Sequence, residues 1–306
     1  MKTMIYKYKT KQIKNINILS GLMLSVLIFL TSCEGDFKHD LKIDGYTQQL
    51  VVNCTFTNDS TWKLNVSKTA GILDDESWEP VNDAIVTITN KNETTFVLNN
   101  NDKGCYSFEQ APVCNELYDL RINIPGYKTI EASDYLPSPV FVESVSFKDS
   151  VAFDEELCLS ESVLSFNDNE TETNYYQIIF YQVDDNNRRV SLLTSTDDIS
   201  AENSANNSVT NSVTYWDYIV ENDVFFNGGN HKIAFRFSKV FPEKDVYVEL
   251  RSLSADLHEY VLTYIKYLMN TGDPFVEPIS VYSNVVNGLG IFGGYTSGTV
   301  KLKTNN

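Results

Sequence analysis

The chain has 306 residues, of which 24 are basic and 41 acidic, for a net charge of −17. Such acidity argues against nucleic acid and against an anionic membrane surface as a partner. It keeps a folded domain soluble and does not by itself indicate a cationic ligand.

The first 32 residues carry five lysines and no acid, and within them an apolar run extends from Ile18 to Leu30. A basic head before a short apolar middle predicts a secretory signal. The run is shorter than the ~20 residues a membrane-spanning helix needs. It ends in Leu30-Thr31-Ser32-Cys33, a branched apolar residue and two small ones before a cysteine. That ending resembles a bacterial lipobox, which implies cleavage between Ser32 and Cys33 and a lipid anchor on the Cys33 thiol. One acyl chain holds only marginally, at ~0.8 kcal/mol per buried methylene, so several are needed for stable anchoring. Outer-membrane lipid, reached through Cys33, is therefore an expected partner. Glu34 and Asp36 follow directly. They resemble the short acidic tag of surface-exported lipoproteins in Bacteroidota, which implies an outer-membrane location facing the cell exterior rather than the periplasm. Loss of the signal leaves 19 basic against 41 acidic residues, a net charge of −22.

Residues 33–46 are polar and read as a lipidated tether. Strand patterns begin at Gln49. Leu50 to Thr57 is rich in β-formers, and Trp62, Leu64 and Val66 share one face of the next segment. Ala84 to Thr89, Phe96 to Leu98 and Cys105 to Phe108 follow, and Leu117 to Ile124 alternates cleanly before Pro125-Gly126. Short strands at such spacing predict a small β-sandwich over residues 47–135. Asp102-Lys103-Gly104-x-Tyr106-x-Phe108, with Tyr118-x-Leu120 and Gly126-Tyr127, resembles the Ig-like, carboxypeptidase-regulatory-like sandwich. Pro137 and Pro139 suit a boundary.

Residues 136–306 predict a second, antiparallel β domain. Val142 to Phe147 alternates. Tyr175 to Val183 is strongly β-forming, ends at the hairpin turn Asp184 to Asn187, and returns through Val190 to Leu193. Thr196 to Asn211 reads as a surface loop. Lys232 to Phe237 and Val246 to Leu253 are further strands. One amphipathic helix is expected at about 254–270, with Ser254 as its cap and Asp256 in its first turn. Leu257, Tyr260, Val261, Tyr264, Ile265 and Leu268 form a stripe expected to pack on the sheet. Glycine and asparagine then recur at turn-like intervals from Ser283 to Tyr295, and a last strand is expected from Thr299 to Leu302. The fold class is thus mostly β, a sandwich followed by a second β domain with one helix.

Several segments together carry a wider resemblance. They are the lipobox, Leu50-Val51-Val52, Ser67-Lys68-Thr69-Ala70, Val81-x-Asp83-Ala84-x-Val86-Thr87-Ile88 and Leu250-x-Ser252-Leu253-Ser254 with Tyr260-x-x-Tyr264. The most specific is Ser283-Asn284-Val285-x-Asn287-Gly288-Leu289-Gly290-x-Phe292-Gly293-Gly294-Tyr295. Together they resemble the Bacteroidota outer-membrane lipoprotein family catalogued as domain of unknown function 4249, over nearly the whole mature chain. The resemblance implies a surface lipoprotein with a TonB-dependent transporter as partner, and it transfers no catalytic residue. Cys105 and Cys114 depart from the family, which more usually has other residues there, with glycine near the second. Asp59-Ser60-Thr61 and Asp149-Ser150-Val151 resemble the O-glycosylation sequon of exported proteins of that phylum.

The search for chemistry yields no motif of catalysis. His258-Glu259 opens like H-E-x-x-H, but Leu262 stands at the fifth position, so His258 reads as a helix-surface residue. No G-x-S-x-G elbow or phosphate loop occurs. Acid clusters at Asp74-Asp75-Glu76, Asp154-Glu155-Glu156 and Asp184-Asp185 lack the EF-hand pattern and read as solvated loops. No metal and no cofactor are expected. The mature chain keeps Cys54, Cys105, Cys114 and Cys158, which allow three pairings. Cys105 and Cys114 flank an expected hairpin and are the favoured disulfide, with buried free thiols as the alternative. Trp78 and Tyr215-Trp216-Asp217-Tyr218 lie outside the strand patterns. Trp78, Tyr215, Trp216 and Tyr218 are therefore candidate contacts to a sugar face or a protein partner, the alternative being local loop packing. The expected function is a non-catalytic binding or accessory subunit of a TonB-dependent nutrient-uptake system, with ligand unknown. A surface adhesin or structural lipoprotein, and a hydrolase with an unrecognised site, are the alternatives.

Overall fold

The computed structural model describes residues 47–71, 78–154, 157–203, 215–271 and 277–303. The signal, Ser32, Cys33 and the tether lie outside them, as do Asp74-Asp75-Glu76 and the second half, residues 204–211, of the expected loop at Thr196 to Asn211.

Among the described residues the fold is mostly β, with two sheets and one α-helix. The first half of the chain supplies β1 (Leu50–Phe56), β2 (Trp62–Thr69), β3 (Trp78–Pro80), β4 (Ile85–Asn90), β5 (Thr95–Asn100), β6 (Cys105–Phe108), β7 (Glu116–Asn123) and β8 (Ile130–Leu136). Alternation along these strands turns Val52, Leu64, Val66, Val86, Ile88, Leu120 and Ile122 inward, where each is buried. Residues of β1, β2 and β6 share one core with residues of β4, β7 and β8, so the two runs of strands face each other as layers. Trp62 sits among Phe56, Tyr118 and Phe292, with ring centres 4.9, 5.0 and 6.2 Å away.

The second half supplies β9 (Val142–Asp154), β10 (Leu157–Asp168), β11 (Tyr175–Val183), β12 (Arg189–Ser191), β13 (Thr194–Ser195), β14 (Ile219–Asn222), β15 (Gly229–Ser238) and β16 (Tyr247–Leu253). Helix α1 (Ala255–Asn270) and β17 (Leu289–Lys301) complete it. The strands β13-β15-β10-β9 form a four-stranded sheet. Its Phe147, Leu164, Phe166, Phe235 and Phe237 pack a second core with Tyr176, Ile178 and Phe180 of β11 and with Val248 and Leu250 of β16.

The two cores share β17. Its first half pairs parallel with β1, from Val51↔Leu289 to Phe56↔Gly294, and its second half pairs antiparallel with β16, from Leu253↔Tyr295 to Tyr247↔Lys301. The strand expected at Thr299 to Leu302 is therefore the end of a longer one, which absorbs the glycine-rich stretch expected to turn. The turn at Asp184 is as expected: its Oδ1 accepts from the amides of Asn186 and Arg188 at 2.9 and 2.8 Å. Past β12 the chain leaves the expected hairpin and crosses to the four-stranded sheet as β13.

Ser254 caps α1, its Oγ accepting from the Leu257 amide at 3.2 Å. The buried face differs from the expected stripe. Leu257, His258, Leu262 and Ile265 are buried, whereas Tyr264 and Leu268 are exposed. The cause is a second packing surface: Leu262 and Ile265 meet Val220, Trp216 and Tyr218 rather than the sheet alone. Among the described residues, no helix is long and apolar enough to cross a membrane.

Candidate functional site

The outward faces of β4, β7 and β8 form the floor of an open groove of about 840 Å³. Because Val86, Ile88, Leu120 and Ile122 point inward, their neighbours point out. Thr87 stands opposite Arg121, which stands opposite Glu131. One step along, Thr89 stands opposite Asp119, which stands opposite Ser133. The wall comes from far along the chain, Asn284 lying 151 residues beyond Ser133 of the floor. Residues 282–286 run beside β8, where the amides of Glu131 and Val286 donate to each other's carbonyls at 3.3 and 2.8 Å.

Asn284 pins that wall to β17. Its Oδ1 accepts from the Phe292 amide at 3.1 Å, and its Nδ2 donates to the Phe292 carbonyl at 2.8 Å. Asp256, in the first turn of α1, accepts from the Tyr282 hydroxyl at 2.7 Å and from Asn284 Nδ2 at 3.1 Å. Burial, together with the Asp256 carboxylate, pushes the Tyr282 hydroxyl up to about 12, so it stays a donor. Arg121 lies 3.3 Å from Glu131 with both side chains exposed; such a pair adds little stability and is free to exchange for a ligand's charge. The groove thus offers three carboxylates, one guanidinium and several hydroxyls on a rigid floor. Its fixed carboxylate is already occupied by Tyr282 and Asn284. This arrangement suits recognition of a polar surface.

Two buried histidines lie elsewhere. His231 Nε2 is 3.4 Å from Glu221, whose other contact is the Ser200 hydroxyl at 2.9 Å. The carboxylate stands between hydroxyl and imidazole, whereas activation of a serine needs the imidazole in the middle. Burial raises the Glu221 carboxyl. His258 is buried, correcting its expected place on the helix surface: its Nε2 lies 2.6 Å from Glu202, and its ring stacks on Tyr175 at 4.2 Å. Among the described residues, no cluster of three metal-ligating side chains occurs.

The aromatic residues expected as contacts are not brought together. Trp78 remains exposed on β3, which pairs with β2. Trp216 is half-buried, exchanges backbone bonds with Thr194 at 2.8 Å and packs on both neighbouring cores. Tyr218 packs on Val220, Leu262 and Ile265, and burial pushes its hydroxyl up to about 12. Trp216 and Tyr218 are thus packing residues, and Tyr215 beside them is half-buried. The expected disulfide is also corrected. Cys105 and Cys114 are free thiols, one exposed and the other half-buried. The hairpin they were to close does not form, because β6 pairs with β2 and β5 while β7 pairs with β4 and β8. Cys33 lies outside the described residues.

Sequence reading missed the groove. Alternation marks Thr87, Thr89, Asp119 and Arg121 as outward, but nothing local shows that residues 282–286 will wall them in. The one signal was the segment from Ser283 to Tyr295, whose asparagine and glycines prove to be structural ties.

A family profile described as a domain of unknown function, DUF4249, matches residues 36–301. No curated protein matches the chain. Among solved structures, a DUF4785 family protein from Legionella pneumophila is 13% identical with a TM-score of 0.23, over 66% of this chain and 52% of that one. The native conformation of Escherichia coli alpha-2-macroglobulin is 10% identical with a TM-score of 0.23, over 69% of this chain and 13% of that one. BcpA, the major pilin subunit of Bacillus cereus, is 8% identical with a TM-score of 0.19, over 68% of this chain and 64% of that one. The chain thus spans about half the first of these and a small part of the second. Likeness at this level carries no argument about activity. The profile match covers most of the chain, and by it the chain belongs to the DUF4249 family.

Proposed function

We propose that this protein is a non-catalytic binding or accessory subunit of a TonB-dependent nutrient-uptake system, held in the outer membrane by a lipid on Cys33 and facing the cell exterior. The observation that carries the reading is the open polar groove over β4, β7 and β8. Its wall is built by the most specific segment of the family resemblance, and its lining presents charge and hydroxyls rather than an activated nucleophile. The lipobox at Leu30 to Cys33 and the acids after it support the anchor and its orientation. The groove is the contact for the transporter assembly.

The test is a mild-detergent pull-down of the tagged, full-length lipoprotein from its own outer membranes, read by mass spectrometry. Stoichiometric recovery of a TonB-dependent transporter supports the reading. Recovery of the lipoprotein alone would favour a surface adhesin or structural lipoprotein.

A further inference from the structure

A second groove, of about 750 Å³, lies over β1, β2 and β6. That volume falls within the range of about 300–1,000 Å³ typical of small-molecule sites. Its floor is the outward row of alternate residues. Asn53 on β1 stands opposite Asn65 on β2, which stands opposite Cys105 on β6. Thr55 and Ser107 add hydroxyls beside them.

Helix α1 contributes to the lining through Tyr260. The helix sits close to β17 because position 293 is glycine: a Cβ there would stand 2.9 Å from that of Leu257. Tyr295 of β17 adds a second half-buried ring. The Arg251 guanidinium lies 4.6 Å from the Tyr295 ring centre and holds that ring in place.

Charge separates this groove from the first. In a chain with 41 acidic residues, Glu109 is the sole carboxylate among the described residues lining it, and Lys63 the sole cation. The remaining polar lining is amide and hydroxyl, with the Cys105 thiol among them. An asparagine side chain offers donors and acceptors together, so its best partner also offers both and carries no net charge. Asn65 Nδ2 makes two weak contacts among the described residues, a long one of 3.4 Å to the Lys103 carbonyl and one of 3.5 Å to Cys105 Sγ, a poor acceptor. These exchange at small cost for a ligand hydroxyl. Tyrosine rings present an apolar face with a polar rim. A saccharide matches both demands, since each hydroxyl donates and accepts while the C–H face of the ring stacks on an aromatic.

We propose that this groove binds a neutral oligosaccharide, with Tyr260 and Tyr295 as stacking surfaces and Asn53 and Asn65 as hydrogen-bond partners. The site is separate from the groove assigned to the transporter assembly, so either can fail alone.

The test titrates the full-length protein in detergent micelles with neutral hexasaccharides: an α-1,4-glucan, a β-1,4-glucan, a β-1,4-xylan and a β-1,4-mannan. A uronic-acid hexasaccharide and an uncharged peptide serve as comparisons. At least one neutral hexasaccharide is expected to bind. Asn53→Ala and Asn65→Ala, on the open strand face, are each expected to weaken it about tenfold, through loss of a hydrogen bond that the bound sugar covers. Tyr260→Ala is expected to weaken it further, with a thermal melt to show that α1 remains folded. The proposal is overturned if no neutral hexasaccharide binds, if the asparagine variants bind as well as the wild type, or if the uronic-acid sugar or the peptide binds in its place.

Discussion

Asp134 is a buried carboxylate at the meeting point of three elements. It stands on β8 and accepts from the Ser254 hydroxyl at the start of α1, at 2.5 Å, and from the Gly294 amide of β17, at 2.7 Å. Burial pushes it up to about 7, and the nearby Asp256 adds to the rise. A folded-state pKa above the ordinary value of 3.8 means that the native state keeps a proton the unfolded chain has already lost. Stability from this group is therefore present at low pH and declines as pH rises from about 4 to about 7. Asp134→Asn keeps an acceptor for both donors and cannot ionise. Urea unfolding of the wild type is expected to lose stability relative to this variant between pH 4 and pH 7, by at most about 1.4 kcal/mol per unit, and to run parallel to it above that. Parallel pH profiles would contradict the assignment. Sequence reading did not single out Asp134, because its partners lie 120 and 160 residues away. By contrast Trp62, Leu64 and Val66 were legible as one face, and all three are buried, since alternation is a local signal.

At the scale of elements, β17 decides the architecture. Gly290 has φ +103°, and a Cβ there would lie 2.0 Å from the Val52 carbonyl oxygen. Any side chain forces β17 off β1 where the two strands pair in parallel. Gly290→Ala is expected to destabilise by at least about 2 kcal/mol, from a strained backbone and an overpacked contact together. A wild-type-like thermal melt would rule this out. Strands β2 and β7 were readable because one buried face repeats every second residue, and β11, buried on both faces, through its run of β-forming residues. β17 was not, because glycine and asparagine signal turns in isolation, and here the glycines instead permit close approach by β1 and α1. The helix and its Ser254 cap were legible. The orientation of its buried face was not, because His258 is satisfied by Glu202, a partner no helical period reveals.

For the whole molecule, two hydrophobic cores share one final strand, and the groove over β4, β7 and β8 is walled by the segment leading into that strand. Long-range closure of this kind is why the groove escaped sequence reading, whereas the proposed anchor rests on four adjacent residues, Leu30 to Cys33. Cys33→Ala is expected to move the protein from the membrane to the soluble fraction while leaving its circular dichroism unchanged. Retention of the variant in the lipid fraction would refute anchoring at that thiol. The role of the groove is tested most directly by a quantified mild-detergent pull-down of the full-length protein, run beside a Thr87→Arg/Thr89→Arg variant whose new side chains fill the groove floor. The wild type should bring down a TonB-dependent transporter in stoichiometric amount, and the variant should lose most of it at unchanged expression. A wild-type protein recovered alone, or a variant that retains the transporter equally well, would contradict the proposed role.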